Sequence, residues 1–207
     1  MYVPQAFLED DLLTLHAVMQ SARLANLVTA TAEGLVSTPL PLLLMPQEGK
    51  LGTLYGHIAR ANTQWALKPH GDAMAIFMGP DAYVSPSWYP SKQINHQVVP
   101  TWNYSAVHVY GPVEFFDEEE KLLEIVNKLT NKHEQGRLSP WAVSDAPAAY
   151  IKNMLKAIIG VRLPIARIDG KQKMSQNRTE PDRQGVVAGL LESENPADRE
   201  VAGLIPL

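Results

Sequence analysis

The sequence has 207 residues, of which 45% are hydrophobic, 16 are proline and none is cysteine. This length suits one large domain or two small ones with a buried core. The lack of cysteine excludes disulfides, cysteine-bound zinc, iron–sulfur clusters and thiol nucleophiles. The net charge is -4, and each half of the chain, divided at Asn103, is weakly acidic. Composition therefore argues against a polycation that binds nucleic acid through bulk charge.

No segment has the length or pattern of a membrane span or a signal peptide. The longest apolar run, residues 40–45, is six residues long and contains a proline. A helix that crosses a bilayer needs about 20 apolar residues. The first residues lack the basic and apolar regions of a secretory signal. We therefore expect a soluble, cytoplasmic protein that makes no membrane contact.

The first half of the chain is predicted to be rich in β-strands. An acidic start and apolar residues at helical spacing predict one helix over 7–23. Apolar runs separated by short Gly turns then predict strands, with the last two forming a hairpin. They cover 24–31, 35–45, 51–56, 73–78, 97–110 and 112–116. Because Pro39 and Pro41 cannot donate hydrogen bonds to a sheet, we expect an edge or a bulge there.

The second half begins with helices. Acidic residues over 117–120 predict a helix that ends near His133, and a second helix follows over 146–157. A single long strand is predicted over 158–168, with Gly170 turning the chain into a basic segment over 171–178. Two short helices over 182–192 and 196–204 end the chain. Many hairpin-linked strands with few helices between them predict a mainly β fold, an antiparallel barrel with flanking helices.

The segment 51–65 carries the first candidate site. A predicted strand ends at His57, and a short helix is predicted to begin within a few residues and to end at Leu67. The first turn of a helix has unpaired N–H groups that suit a phosphate, and His57, Arg60 and Asn62 would add a switchable cation, a bidentate fork and an amide donor. The alternative interpretation is that Asn62 only caps the helix and Arg60 is a solvated charge.

Two aromatic or polar segments have open interpretations. Residues 79–92 hold three aromatic residues, three serines and three prolines. Such a loop either packs rigidly over the fold or binds a ligand. The strand over 98–108 alternates, with Thr101, Asn103 and Ser105 on one face. A polar face of this kind either faces solvent or lines a site, and on the strand pattern alone solvent is the simpler interpretation.

The segment 160–183 has six basic residues against three acidic ones. Its basic hairpin over 170–178 could meet DNA, the phosphate of a ligand or only solvent. The chain lacks the common nucleophile-elbow, P-loop, dinucleotide-binding and zinc-protease motifs. Its six histidines show no i,i+4 pair, so we expect no metal site.

Six segments together resemble one family, the PaiB-type FMN-binding negative transcriptional regulators. The resemblance runs from Met1 to about residue 189. The segments are Met1-Tyr-Val-Pro, Leu40-Pro-Leu-Leu-Leu44, Gly56-His-Ile-Ala-Arg-Ala-Asn62, Ser85-Pro-Ser-Trp-Tyr-Pro-Ser-Lys92, Val99-Pro-Thr-Trp-Asn-Tyr104 and Lys173-Met-Ser-Gln-Asn-Arg178. The resemblance implies an FMN-binding split-barrel fold, similar to that of pyridoxamine-phosphate oxidase. Residues 1–189 would form this domain, with inserted helices over 117–157, and residues 190–207 a C-terminal helical tail.

The resemblance also implies where the cofactor lies. In this family FMN occupies a cleft between the two subunits of a homodimer. The phosphate would then be held by His57, Arg60 and Asn62, and the ring would lie against 37–42, including Thr38 and Leu40. The second subunit would contribute residues of two further segments. These residues are Thr101, Asn103, Tyr104, Lys173, Gln176 and Asn177.

The function implied is repression of transcription, with flavin as a sensory or redox cofactor. The resemblance thus favours a regulator over an enzyme. The charge pattern is less favourable for DNA, because the two C-terminal helices carry more acidic than basic residues. The alternative is a flavin-dependent oxidase or reductase on the same fold, with residues 83–89 covering a small-molecule ligand over the flavin. A third hypothesis is haem on a split barrel, with His16 or His108 as an axial ligand.

Overall fold

The computed structural model describes all residues, 1–207, and is mainly β, as predicted. One antiparallel sheet has six strands and the other has four. The strands are Leu8–Glu9 (β1), Ala25–Thr31 (β2), Gly34–Leu40 (β3), Leu43–Met45 (β4), Thr53–Ala59 (β5), Ala73–Val84 (β6), Thr101–Gly111 (β7), Glu114–Phe116 (β8), Ile158–Pro164 (β9) and Arg167–Lys173 (β10). Their order is β1-β10-β7-β6-β2-β3 in the larger sheet and β4-β5-β9-β8 in the smaller.

Six α-helices accompany the sheets. They are Leu12–Ser21 (α1), Lys92–Asn95 (α2), Glu119–Glu134 (α3), Ala148–Leu155 (α4), Glu180–Leu191 (α5) and Pro196–Ala202 (α6). None of them is both long and apolar enough to cross a membrane. The start of α1 follows from its sequence, because the Asp11 side chain accepts a hydrogen bond from the Thr14 N–H (2.8 Å).

The chain forms two compact units, and β6, β7 and β10 contribute residues to both. The first unit contains Met1–Ala22, Phe77–His108 and Asp169–Leu207. The second contains Arg23–Ile76 and Val109–Ile168.

The second unit holds the β2–β3 hairpin and the whole smaller sheet. The hairpin pairs in register from Ala25 with Leu40 to Thr31 with Gly34, whose φ of 111° suits the turn. Helix α3 covers the smaller sheet with an apolar face, and α4 adds to the same core. The buried residues of this core are Tyr55, Phe116, Leu122, Ile125, Leu129 and Leu155.

The prolines of the predicted strand over 35–45 have the expected effect. The strand is broken into β3 and β4, and β3 is an edge strand of the larger sheet. The chain changes sheets at Pro41 and Leu42, where no ladder hydrogen bond from a proline is needed.

The predicted hairpin of 97–110 with 112–116 is wrong. Strand β8 pairs with β9 instead, with Phe116 opposite Gly160. The ring of Phe116 lies over that glycine, at a position that any side chain would occupy. Burial of Phe116 with α3 in the core of the second unit therefore determines the pairing, rather than closeness in sequence to β7.

The predicted single strand over 158–168 is also wrong, as is the turn at Gly170. Pro164 ends β9, and β10 begins at Arg167 in the other sheet. Gly170 lies inside β10, opposite Glu9, where a Cβ atom would clash with the Glu9 carbonyl and Leu15. Glycine at this position permits close packing of strand and helix rather than a turn.

The aromatic segment over 79–92 is only partly a loop. Residues 79–84 extend β6, and Pro86–Trp88 form one turn of 3-10 helix. Tyr89 is buried with α5 and α6 in the core of the first unit. That core consists of Ala82, Val84, Tyr89, Met174, Val186, Leu190, Val201, Ala202 and Ile205. Residues beyond 189, which carry no recognisable motif, thus supply four of its side chains.

We expect Leu190→Ala to lower the free energy of unfolding by about 2–5 kcal/mol, because it leaves a cavity at a fully buried position. The neighbouring Leu191 is 54% exposed. Leu191→Ala is therefore the matched control, with an expected change within about 0.5 kcal/mol. Urea unfolding measures both values. Equal small effects would show that the C-terminal helices are not part of the core.

Candidate functional site

A concave pocket in the second unit collects four of the predicted site residues. Its volume is about 410 Å³, within the range of small-molecule sites (about 300–1,000 Å³). The ends of β3 and β5 form it, together with the first residue of β9. The lining residues are Thr38, Pro39, Leu40, Pro41, His57, Ile58, Ala59, Asn62 and Ile158. The pocket therefore unites Thr38, Leu40, His57 and Asn62, which lie up to 24 positions apart in sequence.

The pocket exists because the chain after β3 lies against the backbone of β5. A Cβ atom on Gly56 would lie 2.9 Å from the Pro41 carbonyl oxygen and 2.9 Å from Leu42 Cδ2. Glycine at position 56 is thus required for this approach. This close approach of the two segments places the neighbouring His57 beside the end of β3.

Two polar side chains of the pocket bind each other. Asn62 Nδ2 donates to Thr38 Oγ1 (2.8 Å), and Asn62 Oδ1 accepts from the Gln64 N–H (2.9 Å). The second bond caps a 3-10 turn over Thr63–Ala66. The predicted helix after His57 is only this single turn, so it has no helix dipole to offer a phosphate. The capping role that the sequence left open for Asn62 is confirmed.

His57 has a buried nitrogen without a partner. Its Nδ1 atom is shielded from solvent and makes no hydrogen bond to protein. Burial lowers the pKa of His57 from its ordinary value near 6.5, so the ring is neutral at pH 7. A buried polar atom without a partner costs about 1–3 kcal/mol. His57 lines the pocket, so this unmet hydrogen-bonding capacity is a candidate point of contact for a ligand there.

Arg60 lies outside this pocket. Its Nε donates to the Lys156 carbonyl (2.7 Å), and its Nη1 lies 3.4 Å from the Asp117 carboxylate. It lines a separate cavity of about 230 Å³ together with Asp117 and Lys156. The structure therefore brings His57 and Asn62 together but directs Arg60 elsewhere. The role of Arg60 as a phosphate ligand stays a prediction.

The remaining predicted residues lie in the first unit, on β7, on β10 and in the turn after β10. Lys173 Nζ donates to Thr101 Oγ1 and to the Trp102 carbonyl. Burial lowers the pKa of Lys173, and the positive charges of Lys171 and Arg178 lower it further. Gln176 closes the turn by accepting from the Met174 N–H (2.7 Å).

Three predicted residues in this unit differ in exposure. Tyr104 is half-buried, and the ammonium of Lys171 lies 5.0 Å from its ring centre. Asn177 is exposed. Asn103 is fully buried and its Nδ2 donates to Ser175 Oγ (3.0 Å).

The simpler interpretation of the polar face of β7, that it faces solvent, is wrong. Asn103 and Ser105 are both buried, and Trp102 on the opposite face is 52% exposed. Ser175 lies in the predicted segment 173–177 but was not singled out as a site residue. It is buried, has a positive φ of 62° and holds Asn103. The sequence gives no sign of this left-handed backbone conformation, because glycine is the residue that usually marks it and position 175 is a serine.

The sequence comparisons match the chain to one family. The family model described as "Putative FMN-binding domain" matches residues 1–167. A Bacillus subtilis protein, "Protease synthase and sporulation protein PAI 2", is 31% identical over 206 residues. That alignment covers 99% of this chain and 96% of the relative.

Solved structures match the fold. The flavocytochrome Anf3 of Azotobacter vinelandii has a TM-score of 0.58 and 19% identity, covering 87% of this chain and 74% of that one. The FAD and heme binding protein of Mycobacterium smegmatis has a TM-score of 0.52 and 15% identity, covering 86% and 77%. The predicted fold class, that of the split-barrel flavoproteins, is confirmed.

We expect the free energy of unfolding to decrease as the pH falls from 7 to 5, in part because of His57. An unfolded histidine binds a proton below pH about 6.5, whereas the lowered pKa of His57 delays this step in the folded protein. His57→Gln removes that contribution and flattens the profile, as urea unfolding at each pH would show. Ala61→Gln, at an exposed position without a titratable group, is the control and should leave the slope unchanged. An unchanged slope in His57→Gln would contradict the assigned burial.

Proposed function

Since the chain belongs to the PaiB-type family of FMN-binding split-barrel proteins, we propose that the pocket of the second unit holds FMN and that the protein is a negative regulator of transcription. The family model describes an FMN-binding domain, so FMN is the cofactor of this chain. When bound, FMN supplies redox chemistry and visible absorption. The residues of the chain bind it, orient it and exclude water.

The observation that carries the proposal is the unpartnered Nδ1 of His57. A flavin nucleotide has hydroxyl groups, ring nitrogens and carbonyl oxygens along its length, so either tautomer of a neutral imidazole could find a partner on it. Thr38 adds a hydroxyl that accepts from Asn62 and can still donate its own proton. This set of donors and acceptors fits a polar ligand better than an apolar one.

The rest of the pocket suits a flat ring. Leu40, Ile58 and Ile158 provide apolar side chains, and Pro39 and Pro41 leave backbone N–H groups out of the wall. Small-molecule sites combine such apolar walls with a few placed polar groups. The fit supports placing the flavin against 37–42, as the resemblance implies.

The ion pair of Arg60 opposes its joining the site only weakly, whereas its Nε bond to the Lys156 carbonyl (2.7 Å) would have to be kept or replaced. Its pair with Asp117 is solvent-exposed, with side-chain exposures of 38% and 65%. Exposed pairs of this kind stabilise by only about 0–1 kcal/mol. A phosphate dianion is a stronger bidentate partner for a guanidinium than one distant carboxylate. We therefore retain Arg60 as the ligand of the FMN phosphate.

We further propose that the site is completed in a homodimer. Thr101, Asn103 and Tyr104 of the second copy would approach the flavin, with its segment 173–177. An exposed aromatic pair of the first unit supports an interface there. Tyr83 and Trp102 are about half exposed, with ring centres 6.3 Å apart. Exposed aromatic surface on a folded protein is typical of an association site.

The regulatory role is supported by the Bacillus subtilis relative, whose name includes sporulation. The basic segment over 160–183 gives less support for direct DNA binding. Arg162 is held by Glu48 (2.8 Å) and Glu114 (3.0 Å), and Arg167 stacks on Tyr110 at 3.7 Å.

A second candidate function is a flavin-dependent oxidoreductase of a small molecule. Two structural neighbours, the flavocytochrome and the FAD and heme binding protein, have redox cofactors in their names. Haem on this chain, with His16 or His108 as ligand, stays a prediction.

We expect Ala59→Trp to abolish binding of both FMN and riboflavin, because an indole at this wall position fills the pocket. Ala59 is exposed and ends β5, so the larger side chain need not disturb the core. Quenching of flavin fluorescence on titration measures both affinities. Ala61→Trp is the control, since Ala61 is also exposed but does not line the pocket.

The same titration tests the phosphate contact through Arg60→Ala. Only FMN has the phosphate, so this variant should weaken FMN binding about tenfold or more while riboflavin binding stays near its original value. Equal losses for the two ligands would contradict the role of Arg60. Full FMN binding by Ala59→Trp would place the cofactor outside this pocket.

The regulator and the oxidoreductase are separated by one pair of assays. Repeated selection from random-sequence DNA should enrich a duplex that the FMN-loaded protein retains at about 150 mM salt, about a thousandfold more tightly than a scrambled duplex. The second assay measures turnover of reduced nicotinamide with an added electron acceptor. Enrichment without turnover supports the regulator. Turnover without enrichment would overturn it in favour of the oxidoreductase.

A further inference from the structure

A second cavity in the second unit lies apart from the pocket proposed for FMN. Its volume is about 630 Å³, and β4, the last two turns of α3 and residues 140–142 form its walls. Leu43 and Met45 line one side, and Trp141 lines another. None of these residues belongs to the proposed flavin site.

The loop that follows α3 is folded back over this cavity by a specific hydrogen bond. The backbone N–H of Trp141 donates to Glu134 Oε2 (3.1 Å), and the Glu134 carboxylate also lies 3.2 Å from Arg137 Nε. The indole of Trp141 stays 46% exposed although it is held at the cavity wall. A large apolar ring kept in partial contact with water is a surface that a ligand can cover.

Three charged side chains line the cavity, and one of them is uncompensated. Lys128 pairs with Glu124 (2.5 Å), and Glu134 is engaged by Arg137 and by the Trp141 N–H. Lys132 lines the same cavity and is half-buried, yet it makes no ion pair or hydrogen bond. A half-buried ammonium without a partner is costly, and an anion brought to it would offset that cost.

We propose that this cavity binds a small organic monocarboxylate with an apolar body, with Lys132 as the counter-ion of the carboxylate and with Leu43, Met45 and Trp141 in contact with the body. One free cation suits a single negative charge. The apolar side chains opposite it suit an aromatic or aliphatic group of the ligand rather than a sugar. A compact inorganic anion would leave these side chains uncovered.

The electrostatics of Lys132 agree with this assignment. Burial lowers its pKa, and no neighbouring carboxylate raises it again. A bound carboxylate would favour the charged ammonium and so stabilise the complex by a charge-assisted hydrogen bond.

The test compares 2-naphthoate with 2-naphthamide, which has nearly the same shape but no charge. Titration calorimetry of the whole protein should give affinity for 2-naphthoate about tenfold or more above that for 2-naphthamide. Lys132→Met keeps most of the length of the side chain and removes its charge, so it should abolish this preference. Lys128→Met, one turn earlier on α3, should retain the preference because Lys128 is already paired with Glu124.

Other outcomes overturn the proposal. Equal affinities for the two compounds in the original protein would show an apolar site without ion pairing. Retention of the preference in Lys132→Met, or its equal loss in Lys128→Met, would exclude Lys132 as the counter-ion. No heat of binding for 2-naphthoate would show that the cavity takes no such ligand. Circular dichroism of each variant verifies its fold, and Lys132→Gln replaces Lys132→Met if the latter does not fold.

Discussion

The pocket depends on one steric constraint, the contact of the chain around Pro41 with the backbone of Gly56, which has no side chain. This contact brings the end of an edge strand of one sheet against a strand of the other within the second unit. Thr38 and His57 line one pocket as a result. Pro39 lies near the end of β3 and Pro41 directly follows it, where the chain leaves one sheet and enters the other. A side chain at position 56 would separate the strands and remove the pocket.

Buried polar atoms in and beside the pocket are satisfied to different degrees. Gln64 is fully buried, and its amide nitrogen bonds to Leu27, Thr29 and Val36, which makes it a fixed part of the β2–β3 hairpin, although its Oε1 has no partner. Asn62 divides its amide between a cap and Thr38. His57 alone among these residues has a buried nitrogen without a partner in the pocket wall. The same reasoning, applied to charge instead of hydrogen bonding, selects Lys132 in the other cavity.

The sequence predicted the composition of the pocket better than its geometry. The prolines near 40 predicted the edge strand correctly, and His57 and Asn62 of the segment 56–62 line the pocket, because these are local features. The guanidinium of Arg60 could not be placed, because its partner Asp117 is 57 positions away. The pairing of β8 with β9 and the role of the last 18 residues in the core depend on long-range apolar contacts that short-range patterns do not encode. Ser175 was not singled out within 173–177, because neither its positive φ nor its buried bond to Asn103 is marked in the local sequence.

The most direct measurement of the central claim follows the imidazole nitrogens while FMN is added. In protein with ¹⁵N-labelled histidine, the six side chains give separate signals, and His57→Gln identifies that of His57. We expect a saturable shift of the His57 signal, with half of the shift reached at the FMN concentration that gives half of the fluorescence quenching. Quenching with an unmoved His57 signal would contradict the placement of the cofactor in this pocket.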